Sequence, residues 1–74
     1  MIEIFSKPSC PYCVKAKALC EQQGYEFEYK MLGEDFTREE LFEQFPTART
    51  FPQIRIDGTA IGGYDNLLEW HTNK

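Results

Sequence analysis

Met1-Ile2-Glu3-Ile4-Phe5-Ser6-Lys7-Pro8-Ser9-Cys10-Pro11-Tyr12-Cys13 opens the chain, and the way it changes period decides the fold. Ile2 and Ile4 alternate with Glu3, the pattern of a half-buried strand over Met1 to Phe5. From Pro11 the spacing becomes helical. Cys13, Ala16, Leu19 and Cys20 form one stripe, while Lys15, Lys17, Glu21 and Gln22 fall largely away from it. Gly24 is a natural stop, because glycine takes left-handed backbone after a helix without steric cost. A strand therefore feeds a helix, and a Cys-x-x-Cys stands at their junction.

Tyr25 to Tyr29 alternates aromatic residues with Glu and predicts a second strand. Thr37-Arg38-Glu39-Glu40 is a capping-box signature for a second helix. Leu41, Phe42 and Phe45 supply that helix's apolar face, and Pro46 ends it. Phe51 to Ile56 predicts a third strand, Asp57-Gly58 a tight hairpin turn, and Thr59 to Ile61 a short fourth strand. Gly62-Gly63 breaks the pattern, Asp65 can N-cap a last helix, and Leu67, Leu68 and Trp70 can anchor it. The order is β-α-β-α-β-β-α. The first β-α-β should be a right-handed crossover between parallel strands, with the last two strands a hairpin. The expected fold is α/β and thioredoxin-like: a four-stranded mixed sheet flanked by three helices.

Seventy-four residues make one domain, residues 1–74. With 42% apolar and 15% aromatic residues the chain can bury a core, which excludes disorder. A net charge of −4 argues against general affinity for nucleic acid or anionic membrane. No apolar run reaches membrane-span length, and Met1 to Phe5 lacks the basic region of a signal peptide. The expected location is the cytoplasm. Three cysteines, two of them three apart and the third on the following segment, suit a working thiol pair plus one buried Cys20.

With Cys10 at the N-cap, Pro11 falls at N1, where a missing N–H does no harm. The Tyr12 and Cys13 N–H groups then lack helical partners and are expected to point at the Cys10 sulfur. These dipoles favour a thiolate, and Lys7 adds positive potential. Lowering a thiol pKa by about three units needs about 4 kcal/mol. A helix terminus offers roughly 1–2 kcal/mol and a charge-assisted hydrogen bond roughly 1.5–3, so local geometry can supply the shift. Cys13, one turn on and deeper, is expected to resolve what Cys10 attacks. Half of a zinc site is the alternative for such a pair, but only Cys20 and His71 remain to complete it, so no metal is expected.

Cys10-Pro11-Tyr12-Cys13 after a strand resembles the active site of dithiol glutaredoxins. Thr50-Phe51-Pro52 falls where that family has Thr-Val-Pro, and Gly62-Gly63-Tyr64-Asp65 looks like its Gly-Gly-x-Asp. With Lys7 ahead of the thiols, the resemblance spans essentially the whole chain. It implies a glutathione-dependent thiol–disulfide oxidoreductase, with glutathione as reducing co-substrate and disulfide-bearing or glutathionylated proteins as targets. It also implies a cis Pro52, with the Phe51 backbone groups pairing with an extended cysteinyl peptide. Lys7, with Arg49, would meet the glycine carboxylate, and the Gly63-Tyr64-Asp65 turn would offer a helix N-terminus to a carboxylate. Asp65 would also meet the γ-glutamyl ammonium, and Tyr12 would wall the groove. Each has a plainer reading: Lys7 a solvated charge, Asp65 only a cap, Pro52 a trans edge-strand residue.

Phe51 and Tyr64 depart from the family pattern, which bears on substrate preference rather than reaction class. A glutaredoxin-like donor to ribonucleotide reductase, recycled by thioredoxin reductase, is the alternative; Lys7, Tyr12 and Asp65 favour glutathione. An iron–sulfur carrier is opposed by Pro11 and Cys13. A monomer is expected, with Trp70 in the core and Glu34, Asp35, Glu39, Glu40 and Glu43 on a solvated face.

Overall fold

The computed structural model describes residues 1–46 and 48–73. The elements are β1 (Ile2–Ser6), α1 (Pro11–Gln23), β2 (Phe27–Met31), α2 (Arg38–Gln44), β3 (Gln53–Ile56), β4 (Thr59–Gly62) and α3 (Tyr64–Thr72). The sheet order is β2-β1-β3-β4, which makes β1 and β3 the central strands. Strand β1 runs parallel to β2, with Ile2 opposite Phe27, and antiparallel to β3, with Ile2 opposite Ile56. Strands β3 and β4 form the hairpin, turned by Asp57 and Gly58 at φ of 50° and 85°. Positive φ at both turn residues matches the twist of the flanking strands. This is the thioredoxin-like arrangement expected from the order of elements.

The period-2 alternation of β1 sorts the helices into layers. Ile2 and Ile4 point to one face, where they pack with Ile54, with Ala16 and Cys20 of α1, and with Leu67 of α3. Phe5 points to the other, against Phe36, Leu41 and Phe45, with ring centroids 5.2 Å from Phe36 and 5.1 Å from Phe45. Edge-to-face contacts at this separation suit the aromatic quadrupole. The Thr37 capping box forms as read, with Thr37 Oγ accepting the Glu40 N–H at 3.2 Å and Glu40 accepting the Thr37 N–H at 3.0 Å.

Several boundaries and faces differ from the sequence reading. The second strand starts at Phe27, not Tyr25. Gly24 caps α1 at φ 70°, and the Tyr25 N–H still donates to Cys20 O at 3.0 Å, so Tyr25 belongs to the helix cap. Its ring packs on partly buried Trp70, 5.4 Å between centroids. The third strand starts at Gln53, because Pro52 has no N–H for the ladder. Phe42 and Leu68, read as anchors, are 47% and 40% exposed. Leu41, Phe45 and Leu67 hold the inward positions, and Phe36 fills the place expected of Phe42. Among the described residues no helix is long and apolar enough to cross a membrane.

Glu3, read only as the polar alternate of β1, joins three strands. Its carboxylate accepts two hydrogen bonds from Arg55 of β3, both 2.8 Å, and one from Lys30 of β2 at 2.9 Å. The two cations also lie over the Phe5 ring, 5.1 Å and 5.5 Å from its centroid. Bidentate Arg geometry makes this a strong pair. These bonds hold the Glu3 carboxyl well below its usual range, at about 2. The unfolded chain therefore binds more protons than the folded one between pH about 2 and 4.5, and stability rises with pH across that window. Its contribution is complete above the window and lost as pH falls through it. Replacing Glu3→Gln should cost roughly 1–3 kcal/mol at neutral pH by denaturant titration. The variant should also lose less stability than wild type on acidification from about pH 5 to 3. Parallel pH profiles for the two proteins would remove Glu3 as their source.

Candidate active site

Lys7-Pro8-Ser9 leads from the end of β1 to the helix, and Ser9 turns the chain with φ 58°. A non-glycine residue in left-handed backbone is uncommon and marks a constrained junction. Cys10 follows as N-cap of α1, at φ −112° and ψ 103°, with Pro11 at N1. Of the two N–H groups expected at its sulfur, that of Cys13 makes the bond, donating to Cys10 Sγ at 3.3 Å. Cys10 and Cys13 are joined as a disulfide, with Cα atoms 5.2 Å apart. Cys10 retains 7% exposure and Cys13 none, so an approaching molecule meets Cys10 first. The pair stands at a helix N-terminus, where partial positive charge favours a released thiolate.

A groove of about 390 Å³ collects most of the residues singled out from sequence. Tyr12 forms one wall with Tyr64, ring centroids 6.1 Å apart, and the Lys15 ammonium lies 5.0 Å from the Tyr12 ring. Thr50, Phe51 and Pro52 line the groove, and the Phe51–Pro52 peptide is cis. Buried Gln53 braces this loop by donating to Thr50 O at 2.7 Å. Gly63 and Asp65 line it too. A Cβ on Gly63 would stand 3.3 Å from Pro52 O, so a side chain here would push α3 away from the Pro52 loop. Gly62, at φ 115°, would place a Cβ 2.5 Å from Asn66 Oδ1, so both glycines have separate steric reasons.

Asp65 is not the N-cap expected from sequence. The cap is Gly63, and Asn66 one turn on accepts its N–H at 3.2 Å, so α3 begins earlier and Asp65 sits in its first turn. The first intrahelical bond is Leu67 N–H to Gly63 O. The N–H groups of Tyr64, Asp65 and Asn66 therefore lack helical partners and stand at the groove's edge. Asn66 is a groove residue that sequence reasoning missed; an Asn three residues after the glycine was the available signal.

Lys7 and Arg49 lie elsewhere. Lys7 lines a second groove of about 490 Å³ together with Cys10 itself, and with Ser9, Val14, Tyr29 and Met31, none of which was singled out. Its ammonium nevertheless stands 5.8 Å from the Phe51 ring, on the ridge between the grooves. Arg49 lines a separate small hollow beside Thr50 and Phe51. The two remaining candidates for a metal are engaged away from the pair. Cys20 is wholly buried in the core, and His71 Nδ1 lies 2.6 Å from the Tyr25 hydroxyl. Among the described residues no three His, Cys, Asp or Glu side chains converge.

The Glutaredoxin family model matches residues 2–61. The chain is 44% identical over 69 residues to hybrid peroxiredoxin hyPrx5 of Haemophilus influenzae, covering 93% of this chain and 28% of that protein. It is 43% identical over 67 residues to glutaredoxin 3 of Escherichia coli, covering 89% of this chain and 80% of that one. It spans 62% of a probable glutaredoxin of Synechocystis, so its share of its relatives' length varies widely. Among solved structures it is similar to reduced Escherichia coli glutaredoxin, with TM-score 0.84 and 32% identity over 99% of this chain and 94% of that one. It is also similar to a buckwheat glutaredoxin–glutathione complex, with TM-score 0.75 and 30% identity over 97% of this chain and 68% of that one.

Burial pushes the Cys20 thiol up to about 11, so at neutral pH it is a protonated, inaccessible thiol. After reduction of the pair, iodoacetamide should modify Cys10 and spare Cys20 in the native protein, and reach Cys20 only in denaturant. Peptide mass spectrometry reads this directly. Native-state labelling of Cys20 as fast as Cys10 would place it in an accessible, ionised environment.

Proposed function

The chain belongs to the glutaredoxin family and carries a redox-active thiol–disulfide pair, Cys10 and Cys13, and on that premise we propose that glutathione is its reductant. The observation that carries this reading is the groove beside the pair, built from Tyr12, the Thr50–Pro52 loop and the first turn of α3. It offers what glutathione requires: the backbone of the cis-Pro52 loop to pair with, helix N–H groups of the first turn of α3 for a carboxylate, and an exposed Asp65 for an ammonium. The likeness to a glutaredoxin solved with glutathione supports the same choice. Lys7, on the ridge beside Cys10, serves as a cation for substrate carboxylate and for the Cys10 thiolate.

In the one-thiol route, the Cys10 thiolate attacks the glutathione sulfur of a mixed disulfide. The Cys10–glutathione bond forms, the target leaves as a thiolate, and a second glutathione thiolate then attacks the glutathione sulfur of that bond. Oxidised glutathione leaves and Cys10 is restored. In the two-thiol route, Cys10 attacks a protein disulfide and releases one thiolate. Cys13 then attacks Cys10 Sγ, releases the second, and leaves the Cys10–Cys13 disulfide seen in this structure. Two glutathione molecules return it to the dithiol. The reading makes disulfide-bearing and glutathionylated proteins the targets, the cytoplasm the place of action, and a monomer the working form.

A coupled assay with glutathione, glutathione reductase and a small glutathione mixed disulfide tests this. Cys10→Ser should abolish turnover. Cys13→Ser should retain mixed-disulfide turnover and lose reduction of a protein disulfide. Wild type inactive with glutathione but active with thioredoxin reductase would overturn the choice of reductant.

A further inference from the structure

The larger groove, of about 490 Å³, has Cys10 in its wall, whereas the groove assigned to glutathione is built from Tyr12, the Thr50–Pro52 loop and the start of α3. Pro8, Pro11, Val14, Tyr29 and Met31 give the larger groove its hydrocarbon surface, and no carboxylate lines it among the described residues. Strand and helix geometry bring these residues together. Tyr29 and Met31 stand two residues apart on β2, opposite Ile4 and Ser6 of β1, and so share the face that α1 covers. Val14 and Lys17, at i and i+3 on α1, both reach this edge: Val14 lines the groove, and the Lys17 ammonium lies 5.1 Å from the Tyr29 ring.

Core packing does not account for Val14. It stands off the buried α1 stripe of Cys13, Ala16 and Cys20 and is 60% exposed. Valine is also a poorer helix former than Lys or Ala, its neighbours on α1, so helix propensity does not account for it either. Apolar side chains gathered in the open beside a reactive atom mark a contact surface. Met31, unbranched and polarisable, can adapt to side chains of different shape. Lys7 contributes its hydrocarbon stem, since its ammonium lies 5.8 Å from the ring of Phe51, which lines the other groove. Glutathione, with two carboxylates and an ammonium, meets little here that matches it.

We propose that the groove of Val14, Tyr29 and Met31 receives an apolar side chain of the substrate polypeptide, of Leu or Met size, close in sequence to the cysteine that Cys10 attacks. The proposal deepens the oxidoreductase reading and rests on Cys10 as the attacking thiol. Continuity with the reacting residue carries it, because Cys10 forms part of the groove's own wall. An extended polypeptide advances about 3.3 Å per residue, so a chain whose cysteine sulfur meets Cys10 lays its next side chains against these walls. Burying an apolar one there removes hydrocarbon from water in the mixed disulfide and in the transition state that leads to it. The groove thus selects among protein targets by the residues beside their cysteine and leaves small glutathione disulfides unaffected.

A glutathione-free reaction tests it. Synthetic peptides carry one cysteine activated as a mixed disulfide with thionitrobenzoate, and Leu or its near-isostere Asn about one to three residues to either side. The Cys10 thiolate of the reduced Cys13→Ser protein attacks the peptide sulfur and the Cys10–peptide disulfide forms. Thionitrobenzoate leaves as a coloured thiolate whose release gives the rate constant. The best-placed Leu peptide should react about tenfold faster than its Asn twin, and the ratio should hold as salt rises, since salt screens charges and not apolar contacts. Adding Val14→Gln should cut the ratio at least by half, and Val14→Gln with Met31→Gln should bring it near one, the Asn-peptide rate staying as it was. Val14→Leu should keep the preference. No Leu preference at any position overturns the proposal, as does a preference that survives the double variant. Equal slowing of both peptides by Val14→Gln also overturns it. So does a Val14→Gln protein that slows glutathione attack on the Cys10–glutathione disulfide while the peptide ratio stands, which would give the groove to glutathione. Failure of the peptide preference leaves glutathione standing as reductant, and failure of the coupled assay leaves the peptide result standing.

Discussion

The Cys13 N–H bonded to the Cys10 sulfur is the contact on which the site depends. It exists because Cys10 occupies a helix N-cap, a position normally filled by an oxygen, so the reactive atom itself satisfies one of the helix's open donors. The sheet sets where that cap stands. Strand β1 lies in the interior of the sheet with its face packed on α1, and the Lys7–Ser9 turn allows no slack between strand and helix. The sulfur is therefore presented at one end of the sheet, with Cys13 sealed behind it.

Around that sulfur the molecule is divided by Phe51 and Lys7. On one side lies the aromatic groove between Tyr12, Tyr64 and the Pro52 loop; on the other lies the groove of Val14, Tyr29 and Met31. The two glycines before α3 allow the first side to close as it does, one by its left-handed backbone and one by the short approach to Pro52 O. Phe51 faces three ways, toward Lys7, the groove and the arginine hollow. A bulky ring at this position thus reaches from the Lys7 ammonium to the hollow beside Arg49.

The charged trio of Glu3, Lys30 and Arg55 works on the opposite face from α1. A carboxylate at 17% exposure on a central strand would be costly alone. Three hydrogen bonds from two strands offset that cost and tie β2, β1 and β3 together above the Phe5 ring. Rigid pairing of these strands serves the site indirectly, since β1 carries the cap and β3 begins at the Pro52 loop.

Local chemistry was legible from sequence: the order of elements, the Thr37 capping box, the Asp57-Gly58 turn and Cys10 at an N-cap each rest on neighbouring residues alone. So was the grouping of Tyr12, Thr50–Pro52, Gly63 and Asp65 in one groove, through a family pattern spread along the chain. What sequence misjudged were features set by distant partners. Tyr25 left its strand for Trp70 and the α1 cap, Phe42 gave its inward place to Phe36, and Asn66 took over the capping expected of Asp65. Glu3 looked like a solvent-facing alternate until two other strands supplied its cations. The chain by itself determined the element order and the reactive pair, because helix caps and turns are contacts between residues a few positions apart. Only the tertiary structure decided which side chains share a groove and which cations reach Glu3, because those depend on strands and loops far apart in sequence meeting in one sheet.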